Sequence, residues 1–92
     1  MIKRFRHKGL EALYKGRGVA GVNPQHRSKL KRILARLDVA SGPQDLNLPG
    51  WRLHQLSGDL NGHWSITVNA NWRVVFRFSG VDTTDIDYLD YH

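Results

Sequence analysis

The sequence predicts an α+β fold in two layers, with two N-terminal helices packed on one face of a mostly antiparallel sheet of about four to five strands. Three observations carry that expectation. Apolar residues recur at helical spacing through the first half of the chain and at alternate positions through the second. The period changes across the Leu48-Pro49-Gly50 loop. The later turns are too short to hold a crossover, so strands that follow one another there run antiparallel. With 92 residues there is room for a single domain, 1–92, and for no second core.

Taken in order, residues 2–6 form a short strand buried beside others, with Ile2 and Phe5 as its apolar members. From Lys8 the spacing of Leu10, Leu13 and Tyr14 is helical, and Gly16 and Gly18 end the run. Asn23-Pro24 starts the second helix: Asn suits the N-cap, and proline at the first helical position gives up an N–H that has no partner there. Leu30, Ile33, Leu34 and Leu37 line one stripe of that helix, and Lys29, Arg32 and Arg36 form a cationic row elsewhere on it. Ser41-Gly42-Pro43 stops it.

The period of two begins at Trp51-Arg52-Leu53-His54, and residues 58–62 read as a turn. In the next strand Trp64, Ile66 and Val68 share a face. Asn69-Ala70-Asn71 is a tight turn, because asparagine tolerates left-handed backbone. Trp72, Val74, Phe76 and Phe78 then point inward, with Arg73 and Arg77 opposite. After Ser79-Gly80 a last strand covers about residues 83–89. The helices should cover the face bearing Trp64, Ile66, Val74 and Phe76.

Composition excludes several chemistries. Without cysteine there is no disulfide, Cys-ligated zinc, iron–sulfur cluster or thiol nucleophile, which suits a reducing cytoplasm. The basic start leads into no apolar run, so no signal peptide is expected. No stretch approaches the roughly 20 apolar residues of a membrane span. The net charge is +6, and it is uneven: residues 1–46 hold 11 Lys and Arg against 3 acids, whereas residues 47–92 hold 3 Arg against 5 Asp. A basic half of this kind points to a polyanion, nucleic acid first.

The outer sheet face is the informative one. It should carry His54, His63, Ser65, Thr67, Arg73 and Arg77, with the Asp90-Tyr91-His92 tail nearby. Histidine changes charge closest to neutral pH, so a pair supplies one acid and one base. Arginine offers a fork of donors to phosphate and to charge building on its oxygens. Together they suit metal-independent RNA cleavage, in which a base takes the 2′-OH proton and an acid protonates the departing 5′-oxygen. Each residue also has a plainer role open to it: His54 as a half-buried histidine, Arg73 as a cover for Trp72, Tyr91 as an edge aromatic. His54, His63 and His92 lack metal-ligand spacing, so neither metal nor other cofactor is expected.

Met1-Ile2-Lys3 with Phe5 and His7-Lys8-Gly9-Leu10, then Leu53-His54 with Leu56 and Gly58-Asp59, then Gly62, Trp64-Ser65-Ile66-Thr67-Val68, Ala70-Asn71-Trp72-Arg73 and the closing Asp90-Tyr91-His92, resemble the HigB toxins of bacterial toxin–antitoxin systems, within the RelE/ParE superfamily. The resemblance spans essentially the whole chain and implies a RelE-like fold. It implies a ribosome-dependent mRNA endoribonuclease, acting in the A site of the 70S ribosome and inhibited by a HigA-type helix-turn-helix antitoxin, through which alone it would meet DNA. On matching positions His54 and His92 become the acid and base, in an order left open. Arg73 becomes the phosphate stabiliser, and Asp90 and Tyr91 position the nucleotide or the tail. Lys29, Arg32, Arg36 and Arg77 remain for RNA and ribosome contact. The chain departs from the family at Ser57, where some members carry lysine, and at Asn69, where arginine occurs. Each lost cation weakens phosphate binding by on the order of 1 kcal/mol. Two other readings stand beside this one: a ParE-like inhibitor that binds DNA gyrase without hydrolysis, and a non-catalytic ribosome- or RNA-binding module.

Overall fold

His7 caps the first helix: its Nδ1 accepts the Leu10 N–H at 3.0 Å, and α1 runs Lys8–Tyr14. In the computed structural model, which describes residues 1–91, the second helix begins as the sequence suggests. The Asn23 side chain accepts the Gln25 N–H, a short 3-10 turn follows over Pro24–His26, and α2 runs Arg27–Val39. Leu30, Ile33, Leu34 and Leu37 are all buried on its inner stripe, each contributing roughly 1.5–3 kcal/mol of apolar transfer free energy. The connection between the helices crosses α1 at Gly21, where a Cβ on Gly9 would sit 2.7 Å from the Gly21 Cα. Only two glycines allow backbones this close.

Four strands follow: β1 (His54–Gln55), β2 (His63–Asn69), β3 (Trp72–Ser79) and β4 (Asp82–Asp90). They form an antiparallel meander in the order β1-β2-β3-β4. Residues 2–6 lie along the free edge of β4, parallel to it, bridged at Ile2 to Thr83 and at Phe5 to Ile86. The predicted first strand is therefore an edge segment tied at two points. The helices pack on the face bearing Ile66, Val74, Phe76 and Tyr88, with Trp64 and Trp72 at its margin, as an α+β, RelE-like layering requires. Two polar bonds lock the layers: the Thr83 hydroxyl donates to the Leu37 carbonyl near the end of α2, and the Ile2 N–H donates to Asp38.

Local chemistry departs from the simple alternation in four places. The strand expected from Trp51 shrinks to His54–Gln55 because Arg52 adopts φ 50°, which breaks the pleat; the Trp51 carbonyl still accepts the Thr67 N–H at 2.8 Å. In the β2–β3 turn the left-handed residue is Ala70, φ 48°, rather than an asparagine. The outer face is not uniformly solvated, since Ser65 and Val75 at its centre are buried. A register shift between Val75 and Arg77 accompanies a left-handed Asp85, φ 53°. No helix among the described residues is long and apolar enough to cross a membrane.

Candidate functional site

Pairing register fixes which side chains share the outer face. His54 lies opposite Ser65, Ser65 opposite Val75, and Thr67 opposite Arg73. Residues two apart on a strand project to the same side, so His54, Ser65, Thr67 and Arg73 share one. Their positions are two strands and two residues apart, which puts the His54 and Arg73 Cα atoms about 12 Å from each other. An imidazole and a guanidinium at that separation can approach one phosphodiester from two sides.

Each of the two is oriented by backbone. His54 is exposed, and its Nδ1 lies 2.9 Å from the Arg52 carbonyl. A carbonyl only accepts, so Nδ1 carries the proton, and in the neutral ring Nε2 holds the lone pair. The left-handed Arg52 that shortened the strand is thus also what aims His54. Arg73 donates from Nη1 to the Ala70 and Trp72 carbonyls, at 2.6 and 3.0 Å. That anchors the guanidinium at the β2–β3 turn, with Nε and Nη2 making no hydrogen bond to a described residue.

The tail returns to the same turn. Asp90 is the register partner of Trp72, and the Tyr91 N–H donates to the Asn71 carbonyl at 2.8 Å. Asp90 and Tyr91 are both exposed there, but as the partner of inward-facing Trp72, Asp90 projects to the helix-packed side of the sheet and not with Arg73. His92 lies outside the described residues. Under the turn sits an aromatic block. Trp72 and Tyr88 stack at 4.6 Å, His26 meets Trp72 edge-on, and His26 Nδ1 lies 2.6 Å from the Tyr88 hydroxyl. His26 is buried, and burial shifts it below its ordinary pKa.

At the other end of the face, Arg77 is joined through Nε to buried Asp85, which also holds Arg4. Burial works against ionisation of Asp85, but the hydrogen bonds from Arg4 and then Arg77 outweigh it, and the carboxyl titrates below its ordinary 3.8. His63 is the register partner of Arg77; its Nδ1 and the Ser65 Oγ are buried without a hydrogen-bond partner among the described residues. Arg32 and Arg36 are exposed on α2, well removed from this face, and Lys29 is half-buried, its pKa lowered by burial and by Arg32. Ser57 and Asn69 are exposed and neutral.

Two contributors escaped the sequence reading. His26 continues the Leu30, Ile33, Leu34, Leu37 stripe four residues upstream, so its burial was available from spacing. The Arg52 carbonyl had no such signal, since nothing in residue types marks a left-handed arginine.

Two layers of this topology, with a histidine and an anchored arginine on the outer sheet face and a tail returning to the β2–β3 turn, define a RelE-like domain. The chain belongs to the HigB-like toxin family, whose model, described as the RelE-like toxin of the type II toxin–antitoxin system HigB, matches residues 3–92. Over 92 residues it is 42% identical to a protein of Proteus vulgaris named Endoribonuclease HigB, covering all of both chains. It is 36% identical over 95 residues to Toxin HigB-1 of Vibrio cholerae serotype O1, covering all of this chain and 98% of the relative.

Proposed function

We propose that this toxin is an endoribonuclease that cuts translated mRNA in the ribosomal A site by metal-independent acid–base chemistry. The observation that carries the reading is the pairing of a backbone-aimed His54 Nε2 with a backbone-anchored Arg73 on one sheet face, with the Asp90-Tyr91 tail returning to the turn that anchors Arg73. In this mechanism a base removes the 2′-OH proton and the 2′-oxygen attacks the adjacent phosphorus. The P–O5′ bond then breaks as an acid protonates the 5′-oxygen, leaving a 2′,3′-cyclic phosphate and a 5′-hydroxyl. His54 and His92 are the acid–base pair. Arg73 faces the non-bridging oxygens as their charge grows, and its anchoring removes reorganisation at the moment of reaction. Asp90 and Tyr91 position the nucleotide or the tail, and Arg77 adds charge to the face that carries Arg73. Lys29, Arg32 and Arg36 dock on ribosomal RNA. The same reading has the protein work in the cytoplasm, with a HigA-type helix-turn-helix antitoxin as its inhibitor and its only link to DNA.

Mapping RNA 5′ ends in translating cells tests this. Arg73→Ala should lower cleavage about 10²–10³-fold, and Arg73→Lys should recover little of it, because a point charge cannot hold two carbonyls and still fork onto phosphate. His54→Ala and His92→Gln should each be severely impaired. Undiminished cutting by both histidine variants overturns the site.

A further inference from the structure

The outward side of α2 carries a second, smaller apolar stripe that the core does not use. Ala35 and Val39 lie on it, and Val39 is 73% exposed. Across from them run Leu48, Pro49 and Trp51, and between the two walls lies a groove of about 600 Å³ rimmed by Arg32 and Arg36. No acidic residue lines it. The neighbouring groove between α1 and α2, about 370 Å³, differs in exactly that respect, since Lys31 and Asp38 both line it and its charge cancels.

We propose that the Arg32–Arg36 groove receives an acidic, amphipathic segment of the protein antitoxin. An apolar floor with an arginine rim is the usual anatomy of a protein-recognition site, where aliphatic contacts desolvate and arginines select carboxylates. RNA fits it less well. The floor is aliphatic apart from Trp51, which is only 7% exposed and offers no free ring face for a base to stack on. The groove is also wired toward the chemistry. Trp51 bonds β2 through its carbonyl, Arg52 follows, and the Arg52 carbonyl orients His54. A segment seated against Leu48, Pro49 and Trp51 therefore holds the strand that aims the imidazole without covering Arg73. Because Arg32 and Arg36 belong to the row assigned above to ribosome docking, antitoxin and ribosome exclude each other there; that consequence rests on the earlier reading, whereas the docking itself does not.

The test is an NMR titration of the full chain with a synthetic amphipathic peptide, leucines at helical spacing and glutamates between them. Expected are shifts of the Val39 methyl and Trp51 indole resonances. Val39→Glu and the Arg32→Glu, Arg36→Glu pair should each weaken binding about tenfold. Val81→Glu, at another exposed valine, in the β3–β4 turn, should change nothing. Absence of those shifts, undiminished binding by Val39→Glu, equal binding of the same peptide with lysines for glutamates, or the same shifts with a single-stranded oligoribonucleotide overturns the proposal. Cleavage is not read in this experiment, so failure here leaves the nuclease reading standing.

Discussion

At the scale of single residues, the histidines show how one side chain serves opposite ends. His54 is exposed and keeps Nε2 open toward solvent, whereas His26 is buried with Nδ1 against the Tyr88 hydroxyl. The burial of His26 has a pH signature. Its native pKa lies below the ordinary 6.5, so as pH falls below that value the unfolded chain takes up a proton that the native state refuses. Its stabilisation is complete above pH 6.5 and declines below it. Thermal melts from about pH 7.5 down to about pH 5.5 should show stability falling, and His26→Gln should flatten the slope, because a glutamine amide can bond the Tyr88 hydroxyl as donor or acceptor but does not titrate. A slope unchanged in that variant would show that His26 does not carry the effect. His54 and Arg73 stood out in the sequence by type and alternation. What orients them is backbone carbonyls, from Arg52, Ala70 and Trp72, and carbonyls have no residue-type signature.

Among elements, those governed by local periodicity were legible and those governed by tertiary approach were not. The α2 stripe and the alternation of β2 and β3 read directly, because one face of each had to be apolar. The shortened β1, the bulge at Asp85 and the buried Ser65 and Val75 follow from how the layers meet. The crossing of α1 by Gly21 belongs with these. Alanine in place of a helical glycine ordinarily stabilises by roughly 0.5–1 kcal/mol. Here Gly9→Ala and Gly21→Ala should each destabilise by about 1–3 kcal/mol instead, because a methyl on either residue collides with backbone that cannot yield like a side chain. Denaturant midpoints measure the sign.

For the molecule as a whole, the charge of +6 separates by region: the basic half comprises the edge segment and both helices, while the sheet half carries three arginines and five aspartates. The composition that first suggested nucleic acid thus describes mostly the helical half, and the candidate chemistry sits on the side with least net charge. Ribosome affinity should accordingly fall steeply with salt through released counterions, and removing Arg32 or Arg36 should each lower the slope of log affinity against log salt by about one. Filter-binding across a salt series reads this, and a salt-independent affinity would contradict it.

The edge segment also bears on how the protein is made. Arg4 finds Asp85 across 81 positions of chain, and the same carboxylate fixes Arg77. While a ribosome is still synthesising the intervening sequence, β3 has an open edge, Arg77 has no counter-ion and residues 2–6 have nothing to pair with. Closure of the sheet therefore waits until β4 has emerged. A newly started chain cannot present the finished outer sheet face, so the topology itself delays assembly of the candidate site until β4 of that copy is free to pair.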